Sequence, residues 1–459
     1  MTNTYNVNAK STENPAPLWV TWQEKSISTS KGYIFELSER HVKLRNKDDI
    51  LWESNSEYQI QDEIITDIDR NGDEELILLL WKKGKYGKEK PFWTIEDKDD
   101  LTQHIYIYDI EEKGKVTAKW FASDIGRFVT RMKPMEKDNS ILLLEDTNEE
   151  CSLWIWNSFG LKNIDNEVTF IAFGDNIIHK RMLEYAYNKE NGRYDFLYKS
   201  YKKEIESADI AAIAQETIFV DKKSAVSDYP RFGSPLSVGK AIVDSGFDIA
   251  VCANNHALDK GIYGIDVTTD FYKKNKVTCV GIQNSNDKEY QPYEMISKNG
   301  IKFALFSYTY GTNGIDISKE YPNAVHYLPT TEKDKQRVKK EIDSASKEAD
   351  FTVIFVHWGD EYKTEISDEQ KDMAKFFSST KADVVIGSHP HVVQDMELVK
   401  KEDGEQLLIY YSLGNFRADQ GHSKETKTGA EAIFEVCHTY DGIVLKSYDI
   451  KEIKSYWRE

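Results

Sequence analysis

Five points beyond residue 166 place metal-ligand or acid–base side chains directly behind short apolar runs. VTFIAF from Val168 leads into Gly174-Asp175-Asn176-Ile177-Ile178-His179, and ADIAAIA from Ala208 into Gln215-Glu216. FDIAVCA from Phe247 leads into Asn254-Asn255-His256, with Asp259 three residues on. FTVIFV from Phe351 ends at His357, and ADVVIGS from Ala382 ends at His389-Pro390-His391. A single histidine in such a place is more often structural than functional. Here five of the ten histidines fall at these points together with carboxylates and an amide, the donor mixture that binds hard or borderline divalent ions. Two cations about 3.5–4 Å apart need a bridging carboxylate, imidazoles and an amide oxygen, with positions left open for water and substrate. Asp175 and Glu216 supply carboxylates, Asn255 the amide, and His357, His389 and His391 the imidazoles. The expected cofactor is one or two ions of Mn²⁺, Zn²⁺ or Fe²⁺. His256, beside the amide ligand, is left as a general acid, with Asp259 grouped with it as catalytic. His179 reads equally as a ligand or as a partner of one. Against this stands a purely structural role for two of the set, Asn255 capping the following helix and Asp175 fixing a turn.

These side chains need a scaffold that brings distant strand ends together. Beyond Asn163 apolar strand, loop and amphipathic helix alternate, which predicts parallel strands joined by crossover helices. VTCVGI from Val277, KFALFSYT from Lys302 and LLIYYSL from Leu407 complete the strand candidates. SPLSVGKAIVDSG, GIYGIDVTTDFYKKNK, TEKDKQRVKKEIDSASKEA and DEQKDMAKFFSSTK carry helical spacing with charged outer faces. In open α/β sheets ligands bind outside the carboxyl ends of the strands, where these residues lie.

The earlier stretch of the chain differs. Trp19 to Phe159 is rich in Trp, Tyr, Ile and Val in short runs, with turn residues such as Lys31-Gly32 and Asn71-Gly72 between them, which predicts an all-β module, propeller-like or a sandwich. The expected division is a flexible terminus over 1–18, the β module over 19–162 and the α/β domain over 163–459. Asp67, Asp69, Asn71, Asp73 and Glu75 space oxygen atoms as a calcium loop does, with Gly72 for the turn. Leu78 at the twelfth position excludes an EF-hand, and a plain acidic hairpin turn fits equally well.

Composition narrows the function. Sixty Lys and Arg against 78 Asp and Glu give a net charge of -18, which repels phosphate backbones and argues against nucleic-acid binding. MTNTYNVNAKSTENPAP has no basic and apolar leader, and no run approaches bilayer-spanning length, so the expectation is a cytoplasmic protein without a membrane segment. Cys151, Cys252, Cys279 and Cys437 are scattered without CxxC spacing, which suggests free thiols.

GDNIIH, QET, ANNHALDKG, HWGDEY, IGSHPHVVQ and YSLGNF, in this order, resemble the CapA or poly-γ-glutamate capsule synthesis family. The resemblance runs from about Asn166 onward. It implies a calcineurin-like metallophosphoesterase-type fold, an α/β layered β-sandwich flanked by helices, with a binuclear metal site. It sets Asp175 in the place of the first-strand aspartate and Glu216 in that of the bridging carboxylate. Asn255 and His256 match the Asn-His pair, and His357, His389 and His391 the later histidines. Arg231, in Tyr229-Pro230-Arg231, and Asn415 match motifs implied to contact substrate. Glu at the bridge, where metallophosphoesterases have Asp, departs from the pattern. The implied activity is metal-dependent hydrolysis of a phosphoester or a poly-γ-glutamyl amide. The alternatives are a peptide epimerase using the same pocket and a noncatalytic assembly factor. The β module would then bind a protein or glycan partner.

Overall fold

The computed structural model describes residues 16–46, 49–86, 97, 100–122 and 125–457. Most of the terminus expected to be flexible, residues 1–15, lies outside them. The chain divides into two compact units, Met1–Asn166 with His438–Gly442, and Glu167–Cys437 with Ile443–Glu459.

The first unit consists of three four-stranded antiparallel sheets, each a run of consecutive strands. Its middle sheet contains the strand Glu75–Lys83, buried at every position but the last. The run ELILLLWKK is apolar on both faces because both faces are covered. Leu76, Leu78 and Leu80 join Phe35, Leu37, Val42 and Leu44 of the first sheet, while Ile77 and Leu79 join Met132, Leu142 and Leu144 of the third.

The acidic loop joins two strands of that middle sheet, and protein donors meet its oxygens. The backbone N–H groups of Asn71 and Gly72 donate to Asp67, and Lys31 pairs with Asp73. Ligand atoms of Asp67, Asp69 and Glu75 lie within 4.8 Å of one another. The Lys119 ammonium sits 2.5 Å from Asp69, 2.7 Å from Glu75 and 2.9 Å from Asp109. A protein cation therefore already offsets part of the loop's charge. The contacts at Asp67, Asp69, Asn71, Asp73 and Glu75 are those of an acidic hairpin turn, and Asp67, Asp69 and Glu75 also keep the close spacing of the calcium reading.

The second unit is a four-layer α/β/β/α sandwich. One sheet runs in the order Thr278–Val280, Ile249–Val251, Ile210–Gln215, Glu167–Asn176, Thr428–Thr439, Gly442–Lys454, and Asn415–Arg417 also pairs with Glu167–Asn176. Its first four strands are parallel. The other sheet runs Glu294–Lys298, Ile301–Thr309, Phe351–His357, Val384–Ser388, Gln406–Leu413, Val393–Lys400, with the four central strands parallel and antiparallel edges. The expected parallel order is thus the centre of two mixed sheets rather than the whole. Phe170, Ala172, Ile210 and Val251 face Phe303, Phe355, Ile386 and Leu408 across the inner layer. Helices Lys180–Lys189, Leu236–Asp244 and Gly261–Asn275 cover one outer face, and Glu332–Ala345 and Asp368–Ser378 the other. Among the described residues no helix is long and apolar enough to cross a membrane.

Candidate metal centre

Parallel strands in both sheets of the sandwich end at one place. The strand bearing Asp175 reaches it through an irregularity at Gly174, where the register with Ile210–Gln215 shifts. A Cβ at Gly174 would stand 2.0 Å from the Gly414 carbonyl, so only glycine permits the close approach in which the Asp175 N–H donates to that carbonyl at 2.8 Å. Gly387 serves the same purpose at the end of Val384–Ser388, with the Tyr411 carbonyl 2.0 Å from where its Cβ would be.

Asp175, Glu216, Asn255, His357, His389 and His391, which meet there, are all but fully buried. Asp175 Oδ2 accepts from the His389 backbone N–H at 3.2 Å and lies 3.1 Å from His391 Nδ1. Glu216 Oε1 is 3.9 Å from both His391 Nε2 and His357 Nε2. His357 Nε2 is 3.0 Å from Asn255 Oδ1, and its other nitrogen is 3.0 Å from Ser388 Oγ. Asp175, Glu216 and His391 form one compact donor trio, Glu216, His357 and His389 a second, and Glu361, His389 and His391 a third, each within 4.8 Å. Glu216 is shared by the first two trios, the place a bridging carboxylate takes.

Unfilled hydrogen-bonding capacity marks the same point. Asp175 Oδ1, both Glu216 oxygens and His389 Nδ1 are buried without a protein partner. Orphaned buried carboxylate oxygens cost more than a protein normally tolerates, and a cation between them satisfies all at once. Burial, joined by Asp175, holds the Glu216 carboxyl well above its ordinary value. Burial and the neighbouring histidines keep His357 neutral and push His389 down to about 3, leaving the free nitrogens that a metal needs. For His391 burial acts downward, but Glu216 and Asp175 outweigh it and lift the imidazole to about 9. The donor set thus fits one or two divalent ions.

His256 stands beside this cluster, with Nδ1 2.7 Å from Asp259 Oδ2. That carboxylate also accepts from the Phe232 N–H at 2.7 Å. The Asp259 contact fixes the ring so that Nε2 is the nitrogen left to act. Asn254 frames the turn, donating to the Gln215 carbonyl and accepting from the His256 N–H. The Phe232 ring meets both His256 and His179 edge-on. His179 belongs to none of the donor trios among the described residues. Its Nδ1 lies 3.6 Å from Asp228, and Nε2 is buried without a partner.

Arg231 is exposed, on the short loop closed by the Ser227 and Gly233 bridge. Asn415 is fully buried in register with Asp175, its amide N–H groups donating to Gln420 and the Thr426 carbonyl while its Oδ1 is buried without a partner. Sequence reasoning missed Glu361 and the rings of Tyr310 and Tyr362, which lie 4.7 Å from His389 and 5.7 Å from His391 respectively. HWGDEY contains two of these three, but no apolar run ends on them.

Residues 169–420 match the family described as bacterial capsule synthesis protein PGA_cap. The chain belongs to the PGA_cap family. The capsule biosynthesis protein CapA of Bacillus anthracis is 28% identical over 279 residues, 59% of this chain and 64% of that protein. The PGA biosynthesis protein CapA of Bacillus subtilis is 33% identical over 188 residues, 40% of this chain and 46% of that protein. The PGA_cap chain thus spans about half to just under two thirds of these relatives. Among solved structures, a calcineurin-like phosphoesterase, YfkN of Bacillus subtilis, aligns over 63% of this chain and 91% of its own at a TM-score of 0.35 and 13% identity. A phosphatase of Mycoplasma pneumoniae aligns over 63% and 94% at 0.37 and 14%.

Proposed function

We propose that the PGA_cap unit is a divalent-cation-dependent hydrolase that opens a phosphoester or a γ-glutamyl amide in the making or processing of a poly-γ-glutamate capsule. One observation carries the reading: Asp175 Oδ1 and both Glu216 oxygens are buried without donors, beside His357 and His389, two histidines kept neutral. Asp175, Glu216, Asn255, His357, His389 and His391 would hold the cation. When bound, it supplies Lewis-acid polarisation and lowers the pKa of a coordinated water. Asp259 orients His256, whose Nε2 delivers a proton to the leaving group. Tyr310 and Tyr362 flank the cluster and shape its mouth. The names of the Bacillus relatives point to a capsule polymer. The net charge of -18 means that local positive charge, from the cation and Arg231, must offset repulsion of a polyanion. The epimerase alternative lacks support, because the imidazoles and carboxylates converge on one point rather than forming two opposed bases.

The test is elemental analysis of the purified protein and of the Asn255→Ala, His389→Ala double variant, with phosphodiester and γ-glutamyl amide cleavage assayed in Mn²⁺ or Zn²⁺. One or two equivalents of metal, lost in the variant together with cleavage, are expected. His256→Ala should retain the metal and lose about 10²–10⁴-fold in turnover. An ordered wild-type protein that takes up no metal overturns the proposal.

A further inference from the structure

The third donor trio contains a residue that the reaction above does not use. Glu361 is exposed, yet one of its carboxylate oxygens lies within 4.8 Å of ligand nitrogens of His389 and His391, both of which are buried. Each of those histidines also belongs to one of the two trios that share Glu216. Glu361 therefore lies, on an exposed position, beside one donor of each of those two trios. His389 supplies a second, independent sign of a ligand, since it is 3% exposed with Nδ1 unpartnered.

The position of Glu361 is held. The Trp358 N–H donates to the Ser388 carbonyl at 3.1 Å, and the Tyr362 N–H donates to the Pro390 carbonyl at 2.8 Å. The segment on either side of Glu361 is thus bonded to the turn that presents His389 and His391. Gln394 pins the continuation by donating to the carbonyls of Lys363 and Glu365. Tyr362 adopts a left-handed backbone at φ 65°, a conformation rare enough outside glycine to show that surrounding bonds impose it.

We propose that Glu361 is a third carboxylate ligand of the bound cation, contributed from the open side of the site. This rests on the metal-centre reading of the proposed function. Its chemical consequence is charge. With Asp175 and Glu216 alone, two divalent ions leave the centre with an excess of two positive charges, and Glu361 reduces that excess to one. It also lies on the side from which substrate arrives, so it is the ligand that an entering anionic group displaces.

The test uses the full chain and Mn²⁺ as probe, with affinity and stoichiometry read by calorimetry and elemental analysis for wild type, Glu361→Gln, Glu361→Asp and Asp360→Asn. Glu361→Gln is expected to weaken binding of at least one Mn²⁺ by about tenfold or more, with unchanged circular dichroism. Glu361→Asp should fall between Gln and wild type. Asp360→Asn, which removes the adjacent charge but no donor, should change affinity less than about threefold. Equal affinity in wild type and Glu361→Gln overturns the proposal, as does equal weakening by Asp360→Asn. If wild type binds Mn²⁺ and Asn255→Ala, His389→Ala does not, a normal Glu361→Gln removes Glu361 alone from the ligand set. A wild type that binds none removes the metal centre as well.

Discussion

Glu63 lies on the strand Gln59–Thr66 of the first unit, fully buried, with no donor to either carboxylate oxygen. Burial pushes its carboxyl from 4.5 up to about 8. The folded chain therefore keeps a proton that the unfolded chain releases above pH 4.5. The unfolded state binds fewer protons throughout the interval from 4.5 to 8, so stability falls as pH rises through it and levels off above about 8. At about 1.4 kcal/mol per pH unit, raising the pH from 5 to 7 removes about 2.5 kcal/mol on account of Glu63 alone. Glu63→Gln removes that dependence, because an amide does not titrate. Asp62 and Glu75, also raised by burial, leave a smaller slope of the same sign. Seven of the nine tryptophans among the described residues, Trp19, Trp22, Trp52, Trp81, Trp120, Trp154 and Trp156, lie in the first unit, so denaturant unfolding followed by tryptophan fluorescence reports on it. Wild type should lose about 2.5 kcal/mol more than Glu63→Gln between pH 5 and pH 7. Parallel pH profiles for the two proteins would refute the reasoning.

Two further outcomes follow from groups already described. His391 is protonated at pH 7 in the metal-free protein, so Mn²⁺ uptake should release at least about one proton, and affinity should rise up to about tenfold per pH unit from 7 to 9. Calorimetry in buffers of different ionisation enthalpy measures the count, and a count of zero contradicts the assignment. Lys119→Met leaves Asp69, Glu75 and Asp109 without their shared cation and should destabilise the first unit by about 3–5 kcal/mol. Millimolar Ca²⁺ should recover some of this loss in the variant while leaving wild type unchanged, as read by thermal unfolding.

The strand ends carrying Asp175, Glu216, Asn255, His357 and His389 were legible because apolar parallel strands stop abruptly at polar residues. The edge and return strands were not. Thr428–Thr439 mixes buried and half-buried positions and Gly442–Lys454 is largely exposed, so neither stands out as an apolar block. The three sheets of the first unit share architecture without sharing residues, which hides them from any search for repeats. Lys119 lies fifty positions from Asp69 in sequence and meets it only across the sheet. Glu361 follows a loop rather than a strand, and what aims it at His389 and His391 is a pair of backbone hydrogen bonds, invisible as residue type.

His389 and His391 hold left-handed backbone angles, φ 100° and 59°, in a turn where glycine would rest more easily. The turn is locally frustrated: what the chain needs to stand there is not what the fold would choose. Relieving it at His389, whose Nδ1 has no partner, should raise the melting temperature and remove a donor from the site together, so a search for thermostable variants, left without an activity screen, would drift toward replacing that histidine, while His391 is held by its contact with Asp175. Robustness and chemistry are opposed at this one turn. A hardened version of the protein would have to find its extra stability elsewhere, in the buried sheets rather than at the strand ends.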